Sequence, residues 1–255
     1  MDAITFRLAE PDDLDEIVTL SEGIYQGHDS LPLMFHKWLR TNNMAVILAQ
    51  SSDNKLIGLI AYFIVDDRQT FVRRFERIHQ DLRGQGLVRK FREYARNHAK
   101  PQTRTIYVYK RQCEFTERAQ LFPEDIILFN WVPFERLRSN IDHILEDCNE
   151  LFAEDCVDDS IPRSISFGTY LPTEKFLDWR TAIYSDDPTL FEAHLLHQLN
   201  RACEFIKSDF VFVCFHDKRW TELTKKVIEE QLQLNIHHHY VGQGKMYLYE
   251  KEFTR

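Results

Sequence analysis

The stretch that most constrains this chain is Arg83-Gly84-Gln85-Gly86-Leu87. It follows an extended run, Thr70 to His79, and opens a helical pattern that carries through to about Ala99. Leu87, Phe91, Tyr94, Ala95 and His98 form one stripe of that helix, while Arg89, Lys90, Arg92 and Arg96 take the other face. A glycine turn between a strand and a helix gathers backbone N–H groups at the positive end of the helix dipole, facing an anion. Gly84 and Gly86 lack the Cβ that would hold a phosphate away from the backbone. Arg83 adds a fixed charge. The same spacing also serves as a plain tight turn. The third glycine and later acidic residue of the Rossmann fingerprint are missing, and so is the Gly-Lys-Ser/Thr end of a P-loop.

The surrounding composition narrows the ligand. The 255-residue chain carries 40 acidic against 32 basic residues, a formal net charge of −8, which argues against nucleic acid as a partner. Arg and Lys nonetheless cluster between Arg73 and Arg111, a pattern suited to a small polyanion. With 19 Phe and 10 Tyr there is ample material for a core, or for two small ones. The five cysteines form no Cys-x-x-Cys pair and read as reduced thiols. The acidic N-terminus lacks an apolar leader and no run approaches a membrane span, so a cytoplasmic protein without a membrane partner is expected.

In chain order, Ile4 to Ala9 reads as a strand, and Glu10-Pro11-Asp12-Asp13 caps a helix bearing Leu14, Ile17, Val18 and Ile24. A short helix holds Phe35, Trp38 and Leu39. Strands follow at Met44–Ala49, Leu56–Val65 and Thr70–His79, then the loop, its helix, and a strand at Arg104–Tyr109. Leu56–Val65 is so apolar that both its faces should be covered. Farther on come a strand within Asp125–Phe134, a helix through Leu137, Ile141, Ile144, Leu145, Cys148 and Phe152, and an acidic stretch, Glu154–Ser160, that marks a candidate boundary. The remainder reads as a strand at Ser164–Leu171, a helix at Phe191–Ile206 with Leu195, Leu199 and Cys203 inward, and a strand at Phe210–Phe215. A helix striped by Trp220, Leu223, Val227, Ile228 and Leu232 comes next, then a hairpin of Ile236–Val241 with Lys245–Glu250.

The Arg-x-x-Gly-x-(Gly/Ala) core of the loop, with Arg83 and Gly86 in place, resembles the acetyl-CoA loop of the GNAT acetyltransferases; Val88 fills the last, normally small position. The element order implies a GNAT fold in two tandem halves. That is an α/β (α+β) architecture, a mixed sheet with helices on both faces, divided as 1–122 with the cofactor loop and 123–255 without one. Asp15-Glu16-Ile17, Ile24-Tyr25, Gly27, Asp29, Leu31-Pro32, Trp38-Leu39, Val46-Ile47-Leu48-Ala49 and Val65-Asp66-Asp67 resemble the N-terminal region of the histidine N-acetyltransferase family. Trp131, Pro133-Phe134, Ser139-Asn140-Ile141 and His197-Gln198-Leu199 resemble its C-terminal region. The region between Tyr109 and Trp131 is far shorter than in that family.

The resemblance implies acetyl transfer from acetyl-CoA, as co-substrate, to the amino group of a small molecule, free histidine or another amino acid. It places acetyl-CoA against Arg83, Gly84, Gln85, Gly86, Leu87 and Val88, with Arg77 and Ile78 of the preceding strand offering backbone groups to pantetheine. Arg74 stands where the family has a strand glutamate. Glu76, two residues along an extended strand, shares its face and is the candidate base, with Arg74 left to hold an acceptor carboxylate. An ordinary ion pair between the two is the competing reading. Asp66 and Asp67 are candidates to hold an amine or imidazole, or else ordinary residues at a strand end. His237 and His239 would share a strand face, yet no third ligand stands at a supporting spacing and no metal site is expected. The alternative to an enzyme is a binding module that keeps the fold, and CoA affinity, without turnover.

Overall fold

The computed structural model describes residues 4–99, 104–109, 117–120, 126–135, 137–154, 163–235 and 247–252. The chain forms two compact units, Met1–Ala119 with Tyr247–Arg255, and Gln120–Met246.

The first unit begins with β1 (Thr5–Leu8), α1 (Leu14–Ser21), α2 (Leu31–Leu39), β2 (Met44–Gln50), β3 (Leu56–Val65) and β4 (Thr70–Ile78). It continues through α3 (Leu87–Ala99), β5 (Arg104–Tyr109) and β6 (Glu117–Gln120). Neighbours β1 to β4 pair antiparallel in sequence order, whereas β4 and β5 run parallel because α3 crosses between them. The unbroken apolar run of β3 is explained by its two covered faces. On one, Ile60 and Tyr62 join Ile47, Phe71, Ile78 and the α3 residues Leu87, Phe91 and Ala95. On the other, Leu59 and Ala61 join Val46, Leu48, Ile17, Leu31, Phe35 and Trp38. This order, β-α-α-β-β-β-α-β around a mixed sheet, is the GNAT arrangement expected from the sequence.

Two irregularities shape this sheet beside the glycine loop. Ala61 pairs with Phe75 and Tyr62 with Arg73, so Arg74 is the extra residue of a β-bulge in β4. Pairing of β4 with β5 is confined to Thr70–Arg104, Phe71–Thr105 and Val72–Ile106, after which β4 runs on to Ile78 and β5 to Tyr109 without a common ladder. The sheet therefore splits at the bulge.

The second unit holds β7 (Ile126–Phe129), β8 (Val132–Glu135), α4 (Arg138–Asp147), β9 (Glu150–Ala153), β10 (Ser164–Pro172), β11 (Leu177–Ser185), α5 (Pro188–Phe205), β12 (Val211–Phe215) and α6 (Thr221–Lys225). The expected strand in Asp125–Phe134 is in fact the β7–β8 hairpin, turned at Asn130 and Trp131, which take φ of 45° and 68°. The helix expected to reach Phe152 stops at Asp147, and Glu150–Ala153 is an edge strand. Sheet order is β12-β11-β10-β9, with β11 and β12 parallel and α5 between them. The acidic stretch read as a boundary joins β9 to β10, which are antiparallel neighbours in this one sheet. On α5 the buried face is Phe191, His194, Leu195, Gln198 and Ala202, not the face of Leu199 and Cys203; Cys203 is exposed. α6 runs on into a π-helical turn, Lys226–Gln231.

The last strand, β13 (Tyr247–Glu252), returns to the first unit. It pairs antiparallel with β5 from Tyr247–Tyr109 to Glu252–Arg104 and has β6 on its other side. Both its edges are thus occupied, which overturns the expected hairpin with Ile236–Val241, a segment outside the described residues. The exposed edge that β5 would otherwise present is covered by the chain's own end.

Candidate active site

The glycine loop lies where β4 ends and α3 begins, at the open end of the split between β4 and β5. Gly84 and Gly86 adopt φ of 79° and 75°, the left-handed region that favours glycine, and a Cβ at either would have no atom within 4 Å. The glycines therefore answer a backbone requirement and leave clear space in front of the loop. The first N–H groups of α3 have no acceptor inside the helix. A pyrophosphate fits this place by charge and by room. Arg83 anchors the loop, its Nε donating to the Ile78 carbonyl at 3.2 Å, one of about five donors a guanidinium carries. The Gln85 side-chain amide donates to the Asp81 carbonyl at 3.1 Å. Val88 packs against the core under α3, so the branched side chain does not fill the loop's mouth.

The residues of β4 are arranged differently from the sequence expectation. The bulge at Arg74 breaks simple alternation, so Arg73, not Arg74, shares a face with Glu76. Arg73 Nη1 donates to Glu76 Oε2 at 2.8 Å. From α3, Arg92 donates to Glu76 Oε2 through Nε at 2.8 Å and to Oε1 through Nη2 at 2.9 Å. Three of the roughly four lone-pair positions of that carboxylate are thereby taken by guanidinium groups, which does not suit the base expected at this position. Arg74 lies over the Phe75 ring, 5.3 Å from its centre, and Phe75 stacks on Trp38. The Arg77 side chain crosses to the opposite face from Glu76 and meets Asp29 at 3.2 Å, both residues being buried. Asp29 Oδ1 also accepts from the N–H of Leu31 at the start of α2. Arg77 thus ties the α2 entrance to β4, while its carbonyl lies so close to β3 that a Cβ on Gly58 would sit 2.7 Å from it.

Asp66 and Asp67 are not brought to the loop. They begin the β3–β4 turn, with φ of 54° and 53°, and Asp66 is buried. The nine residues of β4 lie between them and the loop, roughly 30 Å at 3.3 Å per residue.

The second unit repeats the strand–helix–strand crossover without the open turn. Asp187 caps α5, its Oδ1 accepting from the N–H groups of Thr189 and Leu190 at 2.8 and 3.0 Å, and Pro188 fills the first helical position. A carboxylate already occupies the place an anion would take. Under α5 lies a buried polar chain that the sequence did not reveal. Ser166 Oγ meets His194 Nδ1 at 2.9 Å and accepts from Gln198 Nε2 at 2.9 Å, and Trp179 Nε1 donates to Gln198 Oε1 at 3.2 Å. Burial, with a smaller contribution from nearby His197, pushes the His194 imidazole down to about 4. Beside it Glu150 meets His197 at 2.7 Å and Arg201 at 3.0 Å. Desolvation is the largest influence on the Glu150 carboxyl and raises it, but these two partners together hold it below its ordinary value. His237 and His239 lie outside the described residues, and among the described residues no cluster of metal-ligating side chains is found. No described helix is long and apolar enough to cross a membrane.

Residues 112–217 match the family model "Histidine N-acetyltransferase, C-terminal". A histidine N-acetyltransferase from Oreochromis niloticus is 31% identical over 122 residues, 48% of this chain and 35% of the relative. One from Xenopus tropicalis is 36% identical over 83 residues, 32% of this chain and 25% of the relative. "Probable N-acetyltransferase 16" from Homo sapiens is 27% identical over 123 residues, 48% of this chain and 32% of that protein. The matched part thus spans about a third or less of these curated relatives. Among solved structures, a spermidine N-acetyltransferase SpeG mutant from Vibrio cholerae superposes on 51% of this chain and 87% of its own, with a TM-score of 0.38 and 18% identity. The strand order, not this superposition, carries the fold assignment. In sequence, the chain is similar to histidine N-acetyltransferases over these parts of its length.

Proposed function

We propose that this chain transfers an acetyl group from acetyl-CoA to the amino group of a small molecule, an amino acid such as free histidine. The observation that carries the reading is the split between β4 and β5, which opens beside a glycine loop at the N-terminus of α3. The loop and first-turn N–H groups, from Gly84 to Val88, would hold the pyrophosphate, with Arg83 adding charge. Backbone groups of β4 beyond the bulge, at Arg77 and Ile78, would line the pantetheine arm, although the Ile78 carbonyl is already shared with Arg83. Acetyl-CoA supplies an activated thioester that a free amine attacks directly, with no covalent link to the protein. The acceptor must first lose a proton from its ammonium group. Glu76, its carboxylate held by Arg73 and Arg92, is not assigned to that step. Arg74, the bulged residue at the mouth of the split, is the proposed partner for the acceptor's carboxylate. Asp66 and Asp67 are left with a turn to build rather than a substrate to hold.

A second reading, a CoA-binding protein without turnover, is favoured by one observation: the carboxylate nearest the split is engaged by two arginines. Thiol release from acetyl-CoA in the presence of a panel of free amino acids separates the two. The enzyme reading expects release that depends on the amino acid, with histidine accepted. Release no faster than without protein across the panel, with acetyl-CoA still bound, would establish the second reading instead.

A further inference from the structure

We infer that the Arg73–Glu76–Arg92 cluster is a clamp that fixes the acetyl-CoA loop to the sheet, and that Glu76 and Arg92 are positioning residues for that ligand rather than groups that act on it. This rests on the acetyl-CoA reading of the loop.

The connection from Ile78 to Leu87 begins with a 3-10 turn, Gln80–Leu82, closed by the Leu82 and Arg83 N–H groups on the His79 and Gln80 carbonyls, and then runs through two left-handed glycines that leave its second half free to swing. Its form depends on how its two ends are held. At the β4 end, Arg83 Nε closes back on the Ile78 carbonyl. At the α3 end, the apolar face seats Leu87 and Phe91 on the sheet. Gly58 allows this approach, since a Cβ there would come within 3.1 Å of the Phe91 ring. Apolar packing sets the distance of a helix from a sheet, but it resists sliding and rotation less than a directed contact does. The directed contact is Arg92. It lies one residue after Phe91 and grips both oxygens of Glu76, a two-point, charge-assisted geometry that fixes orientation as well as distance. Arg73 holds the same carboxylate from within β4, with 9% of its side chain exposed against 19% for Glu76. The clamp therefore joins the strand at the bulge, where the sheet splits, to the second turn of the helix whose first turn faces the anion. Shifting α3 would move the loop's N–H groups away from the thioester's place between the strands.

The test uses the full chain and two readouts. Acetyl-CoA affinity is measured by calorimetry, which needs no turnover, and kcat and KM are measured wherever turnover is found. Glu76→Gln and Arg92→Gln should each weaken acetyl-CoA binding, by roughly tenfold or more, with kcat at saturating acetyl-CoA largely kept. Arg92→Lys, which keeps charge but loses the two-point grip, should fall between. Amide hydrogen exchange at residues 84–88 should quicken in both glutamine variants, while circular dichroism and Tm identify any that simply fails to fold. Unchanged acetyl-CoA affinity in a folded Arg92→Gln overturns the clamp, as does a Glu76→Gln that loses kcat with its acetyl-CoA affinity intact. If the parent chain itself binds no acetyl-CoA, it is the proposed function that fails; accelerated exchange at 84–88 in the variants would still report the clamp's mechanical part.

Discussion

Gly86 and Asp187 stand at the same place relative to their helices, one residue before the first turn, and only Gly86 leaves that turn open to a ligand. Asp187 closes its own helix with two hydrogen bonds from the turn's N–H groups. The first unit thus leaves a helix terminus open, whereas the second supplies its own anion. Asp187→Ala should cost about 1 kcal/mol of stability, as lost helix caps do, and leave acetyl-CoA affinity unchanged. Chemical denaturation and calorimetry on the same variant check both halves of that expectation. A loss of acetyl-CoA affinity would place a ligand at the wrong helix.

The return of β13 to the first unit makes the chain's end a structural element of that sheet. Deleting residues 247–255 should expose the edge of β5 to other chains. We expect a lower Tm and a concentration-dependent rise in light scattering. A truncated chain that keeps the parent's oligomeric state and Tm would contradict the β5–β13 pairing.

Arg180 and Asp178, two apart on β11, form an ion pair at 2.8 Å with side-chain exposures of 3% and 0%. Arg180 Nη1 also donates to Asn130 Oδ1 in the β7–β8 turn, so the pair secures that hairpin as well. Asp178→Asn removes one charge and strands the other in the interior, which should cost roughly 3–5 kcal/mol. Replacing both, Asp178→Leu with Arg180→Met, should recover much of the loss. Urea denaturation measures each; a single variant within about 1 kcal/mol of the parent would show that water reaches the pair.

His194 gives the fold a pH dependence whose sign is fixed by its burial. Its imidazole takes a proton at 6.5 in the unfolded chain but only at about 4 in the folded one. Between those values the unfolded chain binds the extra proton, so stability is complete above the upper value and falls as pH drops toward the lower one. The loss should be roughly 3 kcal/mol. His216, lowered by burial too, adds a slope of the same sign, so the comparison is between the parent and His194→Gln. The variant's stability should fall less steeply between pH 6.5 and 4. Parallel curves would mean that His194 is hydrated.

Much of the first unit can be read from the chain because its elements obey simple periodicities. β3 is apolar at nearly every position and is covered on both faces, and the stripes of α1 to α3 lie where the sequence puts them. On α1, Val18 is exposed and Ile24 falls beyond the end of the helix; on α3, Tyr94 and His98 are the exceptions. Both lie at the rim of α3, where Tyr94 stacks on Phe6 and His98 meets the Tyr62 hydroxyl at 2.7 Å. β11 is not legible, because buried Asp178, Arg180 and Thr181 interrupt its apolar pattern, the first two satisfied by each other and Arg180 also by Asn130. The inward face of α5 is misleading in the sequence for the same reason: His194 and Gln198 read as polar, yet Ser166 and Trp179 satisfy them in the interior. Glu150–Ala153 reads as helix because Cys148 and Phe152 continue the spacing of α4. In the site, the loop announces itself through its glycines. The bulge at Arg74 does not, since a bulge is a property of two strands in register and no residue of β4 signals it alone. Once it is present, the partner of Glu76 becomes Arg73, and the contact with Arg92 depends on a helix 16 residues away in sequence.

The central claim is that the loop ahead of α3 binds acetyl-CoA through its backbone, and titration calorimetry of the full chain against Gly86→Asp tests it most directly. The substitution places a carboxylate and a side chain where the pyrophosphate would lie, at a backbone conformation that costs a non-glycine residue on the order of 1 kcal/mol. The parent should bind acetyl-CoA. Gly86→Asp should show no measurable binding, with a far-UV circular dichroism spectrum nearly unchanged. Equal affinity for acetyl-CoA in the two proteins would contradict the assignment of this loop.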